Sequence, residues 1–152
     1  MDFFENIRFG RTEEIRKALA AKPSLVHEKD PKGFPALVLA SYNNQYDVTK
    51  LLIESGAEAN TRDAAGNTAL MGVSFKGYTA IAELLITNGA NVNAQNSSGA
   101  TALIFAAMFD QQEFVELLLN NGADREITDS KGNTAHDYAK MKENRALADK
   151  LN

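Results

Sequence analysis

Residues 96–128 read NSSGATALIFAAMFDQQEFVELLLNNGADREIT. The stretch opens on a turn, Asn96-x-x-Gly99, in which a short polar side chain can bond backbone amides and the glycine admits positive φ. Thr101 stands two residues past that glycine, where a helix N-cap is expected. TALIFAAMF (101–109) is a short apolar helix, and a break falls near Asp110. A second helix is predicted over roughly 112–121, with Phe114, Val115, Leu117, Leu118 and Leu119 at helical spacing. Gly122 follows as a left-handed C-cap would, and ADREIT leads on, extended, to the next turn.

The same order recurs along the chain at a fixed step of 33 residues. Gly33, Gly66, Gly99 and Gly132 share it, as do Ala36, Ala69, Ala102 and Ala135. So do Gly56, Gly89 and Gly122, each followed by alanine, and the pairs Leu51-Leu52, Leu84-Leu85 and Leu117-Leu118. Asp30, Asp63, Asn96 and Asp129 open the turns, and Thr68, Thr101 and Thr134 stand at the expected caps. Second helices are predicted at roughly 46–55, 79–88 and 112–121, after breaks near Asn44, Gly77 and Asp110. One such unit of helix, turn, helix and hairpin loop cannot bury its apolar face alone, whereas stacked units bury a continuous core.

The pattern D-x-x-G-x-T-A-L…L-L…G-A-x-x-N resembles the ankyrin repeat. The resemblance implies an all-α repeat fold: an α-solenoid of helix-turn-helix units joined by β-hairpin loops, in one curved stack. It implies a single domain over 1–152, with an N-terminal capping unit at 1–29, full repeats at 30–62, 63–95 and 96–128, and a C-terminal capping repeat at 129–152. In the first unit FFENIRFG and TEEIRKALAAK are the two expected helices, with Pro23 ending the second. The TAL style resembles small stand-alone ankyrin proteins of bacteria.

Departures from the family pattern mark particular units. TALM (68–71), TALI (101–104) and TAHD (134–137) replace the family's T-P-L-H, and Pro35 occupies a threonine position, so its helix needs another cap. Gly72 lies inside a first helix, at a cost of roughly 0.5–1 kcal/mol relative to alanine. Its neighbour Val73 fills a column that is otherwise Ala40, Ala106 and Ala139, so the glycine either makes room for valine or is drift in a tolerant repeat. His136 and Asp137 give the last unit the polar face a terminal cap needs.

Composition excludes several classes of chemistry. Cysteine is absent, which removes disulfides, thiolate catalysis and cysteine-ligated metals. The two histidines, His27 and His136, are far apart and lack ligand-spaced partners, so no metal site is expected. No phosphate-binding loop occurs, and GVSFKG (72–77) misses the nucleophile-elbow spacing. No enzyme and no cofactor are expected. The opening MDFFENIRFG has neither a basic n-region nor a long apolar run, so a cytoplasmic protein without a signal peptide or membrane span is expected.

Function should then lie in positions the packing columns leave free. The resemblance places these at the hairpin tips and at the exposed ends of the first helices, which line the concave face. The site expected from it comprises Lys32, Phe34, Tyr42, Asn43, Arg62, Asn67, Phe75, Lys76, Gln95, Met108, Phe109, Lys131, Met141 and Lys142. Tyr42, Phe75, Met108 and Met141 form one column of large apolar residues, with Phe109 beside it. Such a ladder either anchors a partner or covers the gap between neighbouring helices. Lys32, Arg62, Lys76, Lys131 and Lys142 carry +5 on a chain of net charge −4, and the variable positions hold no acid. The acids gather on the second helices instead. These features fit a monomeric protein-binding module, an adaptor or an inhibitor or immunity protein, whose partner presents an acidic and partly apolar surface. The alternative is a nucleic-acid-binding protein using the basic face, but five scattered charges without a basic cluster weigh against it.

Overall fold

A computed structural model describes residues 1–152. It contains ten α-helices and no strand. They alternate as first and second members of five pairs: α1 (Phe3–Arg8) with α2 (Thr12–Ala21), α3 (Ala36–Tyr42) with α4 (Tyr46–Glu54), α5 (Ala69–Lys76) with α6 (Thr79–Thr87), α7 (Ala102–Met108) with α8 (Gln112–Asn120), and α9 (Ala135–Met141) with α10 (Arg145–Leu151). A 3-10 turn, Pro23–His27, follows α2. First helices pack in series, α1 on α3, α3 on α5, α5 on α7 and α7 on α9. Second helices form the other layer, α2 on α4, α4 on α6 and α6 on α8.

Helices of six to ten residues are too short to persist alone. Their stability comes from the seam between pairs. Small residues let the first helices approach closely: Ala36, Ala69, Ala102 and Ala135 are buried, and so are Ala40, Val73, Ala106 and Ala139. Leu37, Leu70 and Leu103 fill one layer of the core, and Leu52, Leu85 and Leu118 fill another with none of their surface exposed.

Polar groups in this seam are satisfied. Thr68, Thr101 and Thr134 accept from the backbone N–H groups of Met71, Ile104 and Asp137. At Pro35, which has no hydroxyl, the Ala36 N–H instead donates to the Glu28 carbonyl, 3.2 Å away. Ser74 Oγ donates across the seam to the Ala102 carbonyl. His136 is half-buried rather than presented on an outer face, with Nδ1 lying 2.9 Å from the Ala148 carbonyl oxygen.

The loops between pairs are turns with almost no β-ladder. In each, the opening Asp or Asn N–H donates to a carbonyl four residues on: Asp30 to Phe34, Asp63 to Asn67, Asn96 to Ala100 and Asp129 to Asn133. Beyond that only two isolated bridges form, Lys29 with Pro35 and Arg62 with Thr68. Side chains, not strand pairing, tie neighbouring loops together. Asn60 Nδ2 donates to the Gly89 carbonyl while its Oδ1 accepts from the Asn91 N–H. Asn93, 33 residues on, makes the same pair of bonds to Gly122 and Asp124.

Two measurements check this architecture. Leu85→Ala should cost about 2–5 kcal/mol in chemical denaturation, as truncation of a well-packed core leucine does. The last unit should be acid-labile. Burial opposes ionisation of Asp129, but the Tyr138 hydroxyl and the amides of Asn133 and Lys131 outweigh it and hold the carboxyl below its ordinary range. Asp137 is held low chiefly by the Thr134 N–H. The stability these groups add is complete above the unfolded carboxylate pKa of about 4 and is lost as pH falls through the lower folded values. Melting temperature should therefore drop between about pH 5 and pH 2, and Tyr138→Phe should lower it at neutral pH while flattening the acid slope. An equally steep slope in Tyr138→Phe would show that other groups control it.

Candidate functional site

The first helices end at one edge of the stack, and their last residues form a row. Tyr42, Phe75, Phe109 and Met141 are all exposed there. The Tyr42 and Phe75 rings are stacked with centroids 6.4 Å apart. Phe75 meets Phe109 edge-on at 4.4 Å, within the favourable range for aromatic pairs. The third rung is thus Phe109, not the expected Met108. Met108 lies half-buried against the core, while Phe109, the C-cap residue of α7, is exposed. Lys76 Nζ stands 5.0 Å from the centroid of Tyr42 and 5.9 Å from that of Phe75, a cation over two ring faces.

The break after α5 holds this row in place. Gln111 Nε2 donates to the Phe75 carbonyl at 3.1 Å, across the seam. Gly77 is left-handed at φ +79°, and a Cβ there would lie 2.5 Å from Gln111 Oε1, so only glycine admits the bond. Gln45 makes the equivalent bond to the Arg8 carbonyl. Phe9, the residue after Arg8, is exposed at the matching helix end and extends the aromatic edge. It stands 33 residues before Tyr42 and so falls in step with the column of Tyr42, Phe75, Met108 and Met141.

The remaining expected site residues divide by what occupies their polar atoms. Arg62 Nη1 donates to the carbonyls of Gly66 and Gln95, both at 2.8 Å. Gln95 Nε2 makes the same pair of bonds, to Gly99 and Thr128. Asn67 Oδ1 accepts from Asn96 Nδ2, and Asn43 Nδ2 donates to the Leu39 carbonyl. These four side chains staple neighbouring loops or close a helix end. Lys32, Lys131 and Lys142 are exposed and make no ion pair, whereas Asp30, beside Lys32, is buried and held by Arg8 Nη2 at 3.0 Å. Phe34 is half-buried at the first loop tip.

Below Tyr42 and Phe75 opens a cavity of about 460 Å³ that the sequence reading did not anticipate. Phe34, Leu39, Met71 and Phe105 wall it, with Gly72 at its floor and Asp63 and Asn67 on the loop side. Its origin is a single position. Leu39, Gly72, Phe105 and Tyr138 share the 33-residue step, and the glycine alone carries no side chain. Its neighbour Val73 is fully buried in the seam. Successive helical residues point about 100° apart, so the space beside Gly72 opens to this cavity, where a Cβ would meet only Tyr42 Cδ1, at 3.3 Å.

Comparison with known proteins supports what the geometry shows. A family model described as ankyrin repeats (3 copies) matches residues 6–96 and 70–151. The chain belongs to the ankyrin-repeat family. A search of curated proteins finds no match. Ankyrin repeats generally mediate protein–protein interaction and are typically non-catalytic. In this ankyrin stack no group of three or more His, Asp or Glu side chains is placed to hold a metal ion. No helix is long and apolar enough to cross a membrane. The aromatic row, the exposed lysines and the cavity all belong to first helices and loop tips.

The glycine makes a stability test. Gly72→Ala removes a helix-interior glycine, worth about 0.5–1 kcal/mol, and should raise the melting temperature by about 1–4 °C, since the exposed Tyr42 ring can yield by a few tenths of an ångström. A fall would mean that Tyr42 is pinned against α5.

Proposed function

We propose that the protein binds a partner protein through its concave face and loop tips, and that the partner presents an acidic and partly apolar surface. The observation that carries this reading is the exposed row Tyr42–Phe75–Phe109, in which Phe75 pairs with the ring on either side and a lysine lies over two of the three. Exposed aromatic side chains in register are a recurring feature of binding hot spots. They also carry little entropy to lose, because each ring is already fixed by the next. The supporting cations are Lys32, Lys76, Lys131 and Lys142. They are exposed, form no ion pair and favour encounter with an acidic surface. Arg62, Asn43, Asn67 and Gln95 serve this reading by holding the loops and helix ends in place, and Met108 by backing Phe109. Met141 extends the apolar edge toward the last unit. In such a role the protein acts by occupying a surface, as an adaptor or as an inhibitor or immunity protein does, in the cytoplasm and as a monomer.

Binding kinetics on the partner recovered from the native host test the reading. Phe75→Ala should weaken binding by about 2 kcal/mol or more, mainly through faster dissociation. Lys76→Glu and Lys131→Glu should slow association and reduce its dependence on salt; the second changes charge without disturbing Tyr42. All three should keep their circular dichroism spectrum and melting cooperativity. Wild-type kinetics in all three would move the contact surface to the acidic second-helix layer.

A further inference from the structure

The cavity at Gly72 is more selective than the row above it. The three other repeats from residue 30 onward fill this column with a large side chain, Leu39, Phe105 or Tyr138. The hole left at Gly72 falls in the size range of small-ligand sites, about 300–1,000 Å³, and its walls are Phe34, Leu39, Tyr42, Met71, Phe75 and Phe105. Four of the six are aromatic, which suits a flat ring better than a branched aliphatic chain. One polar group faces it with capacity to spare. Asp63 Oδ1 accepts from the N–H groups of Ala65 and Asn67 at 2.9 and 2.8 Å, but Oδ2 receives only a 3.4 Å bond from Asn67 Nδ2. An apolar ring carrying one N–H donor matches both features.

We propose that this cavity is a socket for one tryptophan side chain of the partner, inserted with its indole N–H toward Asp63 and projecting from an acidic segment that runs between Lys32 and Lys76. The inference rests on the protein-binding reading and names the chemistry of the partner. The segment is acidic because both lysines are exposed and neither has a carboxylate partner. The glycine in α5 is what the socket requires: any larger residue at position 72 would begin to refill the column.

The chain has no tryptophan, so a probe peptide can be watched against a dark background. The probe is a blocked peptide of Glu, Asp and Ser with one central Trp, added to the intact protein. Its tryptophan emission should shift to the blue and saturate. Gly72→Leu should weaken this by about tenfold or more and Gly72→Ala by a smaller factor, with melting curves confirming that both stay folded. A peptide with Lys in place of its acids should bind at least about tenfold more weakly. No blue shift up to millimolar peptide overturns the proposal, as does equal binding by Gly72→Ala and wild type where Gly72→Leu does not fold. Free indole binding as tightly as the peptide also overturns it, in favour of a small-molecule site. With the native partner the two readings separate. Loss in Phe75→Ala with wild-type binding in Gly72→Leu refutes the socket and keeps the protein-binding surface, whereas wild-type binding in both refutes the two together.

Discussion

A pair of seven- and nine-residue helices has more apolar surface than it can hide, and the seam between successive pairs is where this chain hides it. The seam closes because the facing columns are small. Ala36, Ala69, Ala102 and Ala135 bring the first helices close enough for Leu37, Leu70 and Leu103 to be covered. Close packing in turn demands that polar atoms in the seam be spoken for, and no buried side-chain nitrogen or oxygen lacks a hydrogen-bond partner. Register is then fixed twice, by core side chains inside and by the Asn60, Asn93, Arg62 and Gln95 bonds between loops outside. A unit cannot slide against its neighbour without breaking both sets. That rigidity matters for function, because it sets Tyr42, Phe75 and Phe109 at ring-contact distances although 33 or more residues separate them in sequence.

The repeat made the fold readable. Five columns in step place helices, caps and core before any coordinate is known, and the second helices at 46–54, 79–87 and 112–120 end within one residue of the ends expected from periodicity. What periodicity could not supply is the use a side chain makes of its polar atoms. Arg62 and Gln95 read as free hairpin-tip residues because they vary, yet both bridge adjacent loops by the same pair of carbonyls. Two dissimilar side chains of sufficient reach do one job, which a pattern of residue types does not reveal. Met108 and Phe109 differ in exposure, half-buried against exposed, which residue type alone does not reveal.

The cavity was the most legible feature left unread. The column Leu39, Gly72, Phe105 and Tyr138 is as regular as those that identified the fold, and its one gap is visible in the sequence. The adjoining column, where Val73 stands among alanines, faces the seam instead. Helical geometry separates the two columns by about a quarter turn. A glycine's neighbour in sequence therefore says little about the space the glycine opens. The informative comparison is with the equivalent residue one repeat away.

A glycine inside an eight-residue helix is a local conflict in a sequence whose other choices agree. Such conflicts concentrate where structure is traded for function. Here the helix gives up about 0.5–1 kcal/mol, a modest fraction of the few kcal/mol by which a domain is stable. The loss falls on α5, whose neighbours α3 and α7 hold it from both sides, so the stack tolerates there what a terminal helix would not. It also falls directly beneath the Tyr42–Phe75 pair, where Lys76 covers the rings and Gln111 fixes the Phe75 carbonyl. The helix that carries the interior glycine and the exposed Tyr42–Phe75 pair lie together. A site that receives a side chain has to be open where its surroundings are held in place, and α5, packed between α3 and α7, is such a position.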